Sequence, residues 1–332
     1  MDETMKLSIC VIAYNEEKFL PNLLADIRNQ EYPHELTEVV LINSASTDGT
    51  RALMESFAGE DNGFYAVQVL DNPKKIQAAG WNVAITHATG DVIARIDAHT
   101  QLPGDYSRKV MEDIAAGEDI VGGMRPCVIE NDTNWGKILL RTENSLFGSS
   151  INASRHSTEK KYVKTMFHAA YRRVVFEKAG LFNENLLRTE DNEMHYRMRQ
   201  AGYRFCYDPA ILSYQYARSS LKRMIRQKYG NGYWVGKTLK ICPGCISLYH
   251  LVPGAFVLAI VVTTILALLG VWQLAALMWV LYGLFALGST VLSAVNEGFN
   301  PYIFVMPLLF LILHVSYGVG TVAGLCAPVS EK

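Results

Sequence analysis

The feature that most constrains this chain is a gap in its charge: no Asp, Glu, Lys or Arg lies between Lys240 and Glu297. An uncharged run of about 56 residues far exceeds what a soluble helix needs, whereas a membrane-crossing helix takes about 20 apolar residues. Three candidate spans follow, 248–270, 273–295 and 302–325, the first two separated by little more than Val271-Trp272. A soluble core does not absorb three such segments, so residues 248–326 are expected to form an α-helical membrane anchor of about three transmembrane helices. Basic residues gather directly before it, at Arg218, Lys222, Arg223, Arg226, Lys228, Lys237 and Lys240. Lys and Arg at such a position favour the cytoplasmic side of a bilayer and anionic headgroups. With Tyr229, Tyr233 and Trp234 interleaved, 218–240 reads as a basic amphipathic segment lying against membrane lipids.

Residues 1–240 have a different character. Over the whole chain Lys and Arg number 31 against 32 Asp and Glu, a net charge of −1, and a nucleic-acid partner would call for a clear basic excess. Six cysteines stand at 10, 127, 206, 242, 245 and 326 without framework spacing, which suits a reducing compartment. Cys242-Pro-Gly-Cys245 lacks a second ligand pair and reads as a tight turn into the first span. The first apolar stretch, Leu7 to Tyr14, is too short for a secretory h-region, so this part is expected in the cytoplasm. Oligomeric state is not encoded in any pattern here.

Lys6 to Ala13 is a nearly continuous apolar run, the pattern of a parallel strand buried on both faces. A helical period follows over 16–30, with Pro21 in the first turn. Strands are expected at 38–42, 65–70 and 91–96, helices at 50–57 and 76–86. Alternation of this kind implies right-handed crossovers and a mainly parallel, Rossmann-like α/β sheet with flanking helices. Ile120 to Met124 reads as a strand whose glycine pair marks either a close backbone approach or a bulge, 130–165 as a mobile loop, and 190–200 as a helix led by acids and ended by Gly202. No Gly-x-Gly-x-x-Gly follows the first strand, so a dinucleotide fingerprint is absent.

The polar motifs fall at strand ends, where ligands of parallel sheets sit. Tyr14-Asn15-Glu16 follows strand one, Asn43 to Asp48 follows strand two, and Asp97-Ala98-His99 follows strand four. Carboxylate plus imidazole two residues apart suits Mn²⁺ or Mg²⁺ held together with a diphosphate. Alone, each has a plainer reading: Asp97 as a strand cap, Asp48 as a turn residue, Glu16 as a dipole-complementing acid, Asn82 as helix surface. Asp191, at the start of a helix, is placed to act as a general base, with helix capping as its plainer role.

Taken in order, the motifs resemble one family. Tyr14-Asn-Glu, Ser46-Thr-Asp-Gly-Thr, Ala78-Ala-Gly-Trp-Asn82, Asp97-x-His99, Ala169 to Phe176, Gly180 to Glu184 and Thr189-Glu-Asp191 resemble the inverting family 2 glycosyltransferases over about residues 6–235. The apolar tail is similar to the subgroup that builds bacterial exopolysaccharides. The resemblance implies a GT-A fold in residues 1–240, a nucleotide-sugar donor and a divalent metal. It implies that Ala13, Tyr14, Asn15, Glu16, Ser44, Asp48, Gly80, Asn82, Asp97 and Ala98 bind the nucleotide sugar. Asp97 and His99 would hold the metal, and Asp191 would be the base. Glu190, Gln227 and Trp234 would lie on the acceptor and diphosphate side, the last two within Gln227 to Trp234, which looks similar to a downstream family segment. The family's acidic pair is replaced by Asn43-Ser44, and the second Asp of its Asp-x-Asp by His99. The implied activity is hexosyl transfer from a UDP-sugar to a polyprenyl-diphosphate-linked glycan at the inner bacterial membrane. A membrane-tethered protein that binds nucleotide sugar without turnover is the alternative that those two replacements keep open.

Overall fold

The computed structural model describes residues 4–129, 132–148, 157–216 and 220–328. Among them two compact units form, one from 4–128 with 157–216, the other from 132–148 with 220–328.

In the first unit β1 (Leu7–Ala13), β2 (Thr37–Asn43), β3 (Ala66–Asp71) and β4 (Val92–Asp97) pair in parallel in the order β3-β2-β1-β4. The helices between them are α1 (Leu20–Arg28), α2 (Thr50–Ala58) and α3 (Gln77–His87). The chain winds outward from β1 to β3 and then returns to the other side of β1 with β4. That reversal makes the β1/β4 boundary the switch point, where a crevice opens beyond the carboxyl ends of the strands. Alternate residues of each strand feed two separate cores: Ile9, Leu41 and Ala94 enter one, Cys10, Ile42 and Ile93 the other. Each fully buried aliphatic side chain contributes about 1.5–3 kcal/mol, so the register is strongly specified.

The sheet continues through β9 (Ala170–Arg172), β6 (Ile120–Met124), β10 (Phe205–Leu212) and β8 (Lys161–Val163). Strand β9 runs antiparallel between β4 and β6, and β8 antiparallel to β10. Close approach at the glycine pair is real, since a Cβ on Gly123 would strike the carbonyls of Asp208 and Ile211. A small second sheet joins β5 (Thr100–Gln101), β7 (Cys127–Val128) and β11 (Tyr214–Tyr216) beside the end of β4. Helices α4 (Tyr106–Ala115), α6 (Arg173–Ala179) and α7 (Glu190–Gln200) complete the unit.

Two expectations need correction. Helix α1 starts at Leu20, not Glu16: the Glu16 carbonyl accepts from the Phe19 and Leu20 amides, so residues 16–19 form a turn. The stretch 130–165 is not simply a loop, since 134–144 forms helix α5 (Asn134–Asn144), whose Gly136 amide donates to the Thr133 hydroxyl. Its apolar residues are few because Ile138 and Leu139 alone make the buried stripe.

The second unit contains α5, α8 (Leu221–Ile241), α9 (Val252–Leu268), α10 (Gln273–Glu297) and α11 (Met306–Cys326). Three stretches, Leu248–Leu268, Gln273–Glu297 and Ile303–Cys326, are helical, long and apolar enough to cross a membrane. Cys242 to Cys245 is a turn, the Cys245 amide donating to the Cys242 carbonyl at 3.2 Å. The basic helix α8 belongs to this unit, and glycines bring it against α11. A Cβ on Gly232 would strike the Tyr317 carbonyl, and one on Gly324 the Tyr233 carbonyl. Small residues spaced by four allow such backbone contact in helix pairs. Overpacking costs about 1–3 kcal/mol or more, so Gly324→Leu is expected to lower the melting temperature in detergent. Gly288→Leu, where a Cβ meets nothing within 4 Å, is the control and should melt like the parent.

Candidate active site

Four loops converge at the carboxyl rim of β1 to β4. The first two are clipped together: the Asn15 amide donates to the Ser46 hydroxyl at 3.1 Å, and the Thr47 amide to Asn15 Oδ1 at 2.8 Å. The Glu16 amide donates to Thr50 Oγ1 at 2.8 Å and the Gly49 amide to Glu17 Oε2 at 3.0 Å. Asp48 accepts from the Thr50 amide at 3.0 Å and the Glu17 amide at 3.3 Å. Burial, the largest single influence, raises its carboxyl, but the Thr50 and Glu17 bonds together hold it below the ordinary value. Asp48 therefore shapes the rim through Thr50 and Glu17.

Buried Ser44 and Asn43 reach toward β3. Asn72 Nδ2 donates to the Ser44 hydroxyl at 3.0 Å, and Asn43 Nδ2 to Asp71 Oδ1 at 3.2 Å. Gly80 admits close packing, since a Cβ there would lie 3.0 Å from Asn72 Nδ2 and from Ile12 Cδ1. Asn82 holds the loop after Gly180, its Nδ2 donating to the Phe182 carbonyl and its Oδ1 accepting the Phe182 amide. Ala13 and Ala98 are buried, while Tyr14 stands half exposed at the rim. Gln227 and Trp234 lie on α8, in the second unit.

Strain marks the same edge. Among the described residues, those other than glycine with positive φ are Asn15, Ala45, Lys75 and His168, all in loops at this rim. Each such conformation costs of order 1–3 kcal/mol and collects where a loop is shaped for function. His168 escaped notice in the sequence because it stands just outside the Ala169 to Phe176 motif, and no spacing links it to Asp97.

At the end of β4 two histidines meet two carboxylates. His168 Nε2 lies 3.2 Å from Asp97 Oδ2, with Nδ1 3.0 Å from the Ser213 hydroxyl. Burial opposes ionisation of Asp97, yet His168, His99 and Arg125 hold its carboxyl well below the usual range. Burial pushes His168 down despite Asp97, so its Nε2–H donates as a neutral ring. His99 Nδ1 lies 3.1 Å from Glu16 Oε1, and Nε2 3.2 Å from Gln215 Nε2. With an amide nitrogen facing Nε2, the lone pair sits there and Nδ1–H donates to Glu16. A ring oriented by a carboxylate on one nitrogen, with its lone pair on the other, is the usual arrangement of a metal-binding histidine. Among the described residues no three His, Cys, Asp or Glu side chains form a ready-made metal cage.

Asp191 reaches the same face of β4 as Asp97. Its Oδ1 lies 2.9 Å from Arg95 Nη1, and Arg95 stands two residues before Asp97 on the strand, about 7 Å along it. Glu190, its neighbour, is almost fully buried. Burial first, then the charge of Asp191, raises its carboxyl well above the ordinary range.

The comparisons bear on this geometry directly. The family model described as "Glycosyl transferase family 2" matches residues 8–180. The chain belongs to that family. Over 322 residues the glycosyltransferase is 30% identical to the succinoglycan biosynthesis protein ExoA of Rhizobium meliloti (strain 1021), covering 94% of this chain and 92% of the relative. It is 24% identical to the dolichyl N-acetyl-alpha-D-glucosaminyl phosphate 3-beta-D-2,3-diacetamido-2,3-dideoxy-beta-D-glucuronosyltransferase of Methanococcus voltae, covering 94% of this chain and 95% of the relative. Among solved structures, mannosyltransferase PcManGT from Pyrobaculum calidifontis, in complex with GDP-Man and Mn²⁺, matches with a TM-score of 0.63 at 21% identity. That match covers 97% of this chain and 88% of the other. The glycosyltransferase therefore has a GT-A fold followed by C-terminal helices. The family match ends before Asp191.

One further titrating group lies beneath the site. His195, fully buried on α7, is pushed down to about 4 from 6.5, by burial first. The folded enzyme then binds fewer protons than the unfolded chain between those values, so this residue lowers stability as pH falls from about 6.5 toward about 4. The melting temperature of His195→Gln is expected to fall less than that of the parent enzyme over that window.

Proposed function

We propose that the enzyme transfers a hexose from a UDP-sugar, with inversion, to a hydroxyl of a glycan carried on a polyprenyl phosphate or diphosphate at the bacterial inner membrane. The observation that supports it best is the placement of Asp191 and Asp97 against one face of β4 at the switch point. The catalytic unit would face the cytoplasm, where nucleotide sugars are made. A dolichyl-linked sugar phosphate stands in the name of the Methanococcus relative, and a chain with its own apolar helices suits a membrane-borne acceptor.

In this reading the rim loops carrying Tyr14, Asn15, Ser44 and Asp48 border the nucleoside. Asp97 and His99 would hold a divalent ion, Mn²⁺ or Mg²⁺, through one carboxylate and one imidazole, the ring oriented by Glu16 and its Nε2 lone pair released by Gln215. When bound, such an ion supplies Lewis-acid neutralisation of the diphosphate. Asp191 takes the proton of the acceptor hydroxyl as its oxygen bonds to the anomeric carbon. The bond from that carbon to the diphosphate oxygen breaks, and the nucleoside diphosphate leaves with the electron pair. One displacement inverts the centre.

The test is nucleoside-diphosphate release by detergent-purified full-length enzyme. A panel of nucleotide sugars is offered with polyprenyl-linked acceptors, in Mn²⁺, Mg²⁺ or chelator. Release from one donor, dependent on acceptor and metal, is the expected result. Donor-induced thermal stabilisation with no release from any pair would instead favour a binding protein without turnover.

A further inference from the structure

Arg95 is out of place by the ordinary rules of a parallel sheet. It stands near the end of a central strand, 6% exposed, with its guanidinium over the rings of Trp81 at 4.3 Å and Phe182 at 4.5 Å. Removing a cation from water costs several kcal/mol unless partners compensate. The fold itself does not call for one here, since the neighbouring inward positions of β4 are filled by aliphatic residues such as Ile93.

The compensation is specific. Nη1 meets Asp191 Oδ1 at 2.9 Å, and the Tyr171 hydroxyl lies beside the same guanidinium. That hydroxyl continues to His195 Nε2 at 3.0 Å, and His195 Nδ1 to the Thr165 hydroxyl at 2.8 Å. A hydroxyl presenting its oxygen to a guanidinium turns its proton away, so Nε2 accepts and Nδ1–H faces Thr165. The neutrality that burial imposes on His195 fits that tautomer. Asp191 is thus anchored through Arg95 to β4, β9 and its own helix. Glu190 is 3% exposed, and its Oε2, like Asp191 Oδ1, is outside hydrogen-bond geometry with any described residue, so what separates the two carboxylates is the guanidinium charge 2.9 Å from Asp191. Two consecutive carboxylates sit at one helix start, and the cation addresses one of them.

We propose that Arg95 is the positioning residue of the transfer reaction: by pairing with Asp191 and not Glu190, it fixes the base and decides which of the two adjacent carboxylates takes the acceptor proton. This rests on Asp191 being the base. The groups facing Asp191 are Arg95 and Asp97 on β4, Tyr171 on β9, and Glu190 and His195 on α7. Sequence spacing does not reveal the link, since Arg95 and Asp191 lie far apart in the chain and meet only through the sheet.

The experiment uses the full-length enzyme and the donor and acceptor selected by the panel. Arg95→Met keeps the stem between Trp81 and Phe182 and removes the charge. Its kcat is expected to fall about 100-fold, within the range general-base catalysis contributes, with KM for donor within about threefold. Arg95→Lys should recover about tenfold of that loss, the single charge returning without the planar fork. In an Asp191→Asn background Arg95→Met should cause no further loss, the signature of two residues acting as a unit. If Arg95→Met does not fold, Arg95→Lys and Tyr171→Phe are read instead, with lowered kcat and unchanged donor KM expected of both. Parental kcat in the folded Arg95 variants, beside an inactive Asp191→Asn, would overturn the inference and leave the base in place. An active Asp191→Asn would instead remove the base assignment beneath it.

Discussion

Asp191→Asn is expected to reduce sugar transfer by about 10³-fold or more while leaving donor binding intact, because the amide is nearly isosteric but cannot accept a proton. The swap keeps the shape of a partly exposed helix-start residue but removes the counter-charge of buried Arg95, so the variant should melt lower, and donor binding is read as the thermal shift from its own melting temperature. Donor-induced thermal stabilisation should match that of the parent enzyme, with nucleoside-diphosphate release lost. Release that persists at the parental rate would place the base elsewhere. Glu190 is a poor substitute, since burial keeps it protonated and so unable to take a proton at neutral pH.

The second large effect is expected at the end of β4. Asp97→Ala should lower kcat/KM by about 10²-fold or more and abolish the difference between Mn²⁺ and chelator in donor-induced stabilisation, the Lewis-acid contribution being worth several kcal/mol. His99→Ala should do the same more weakly, since imidazole is one donor among several. His168→Ala is informative by contrast, because it bonds Asp97 from a buried position. It should keep metal dependence and raise the metal concentration needed, as losses of residues supporting a ligand do by about 10- to 100-fold. If Asp97→Ala keeps full metal-dependent stabilisation, the ion binds elsewhere.

The strands and the helix at 190–200 were legible because their apolar pattern survives without knowledge of neighbours, whereas the reversal at β4 was not, since strand order depends on pairing between distant segments. The three long apolar helices were legible for a related reason: hydropathy is summed over about 20 residues and needs no partner. Helix α5 was not legible, since its apolar stripe is narrow and its packing partners Met224, Leu309 and Phe310 lie far away in sequence. The motif residues were read correctly as neighbours of one edge, but not for their bonds. Asn43 and Ser44 bond Asp71 and Asn72 at the end of β3, a strand end that carried no recognised motif.

By itself the sequence determined which residues line strands, which helices are apolar enough for a bilayer, and that Asp48, Asp97, His99 and Asp191 fall at strand or helix ends. Those are local properties, dictated by side-chain size, polarity and period. Only the tertiary structure decided that Arg95 pairs with Asp191, that His168 bonds Asp97, and that Glu16 orients His99. Each pair joins residues more than 70 positions apart, and the charge state of a carboxylate depends on burial and on which cation the fold brings to it. No spacing rule carries that information, because the antiparallel entry of β9 beside β4 brings His168 and Tyr171 in together.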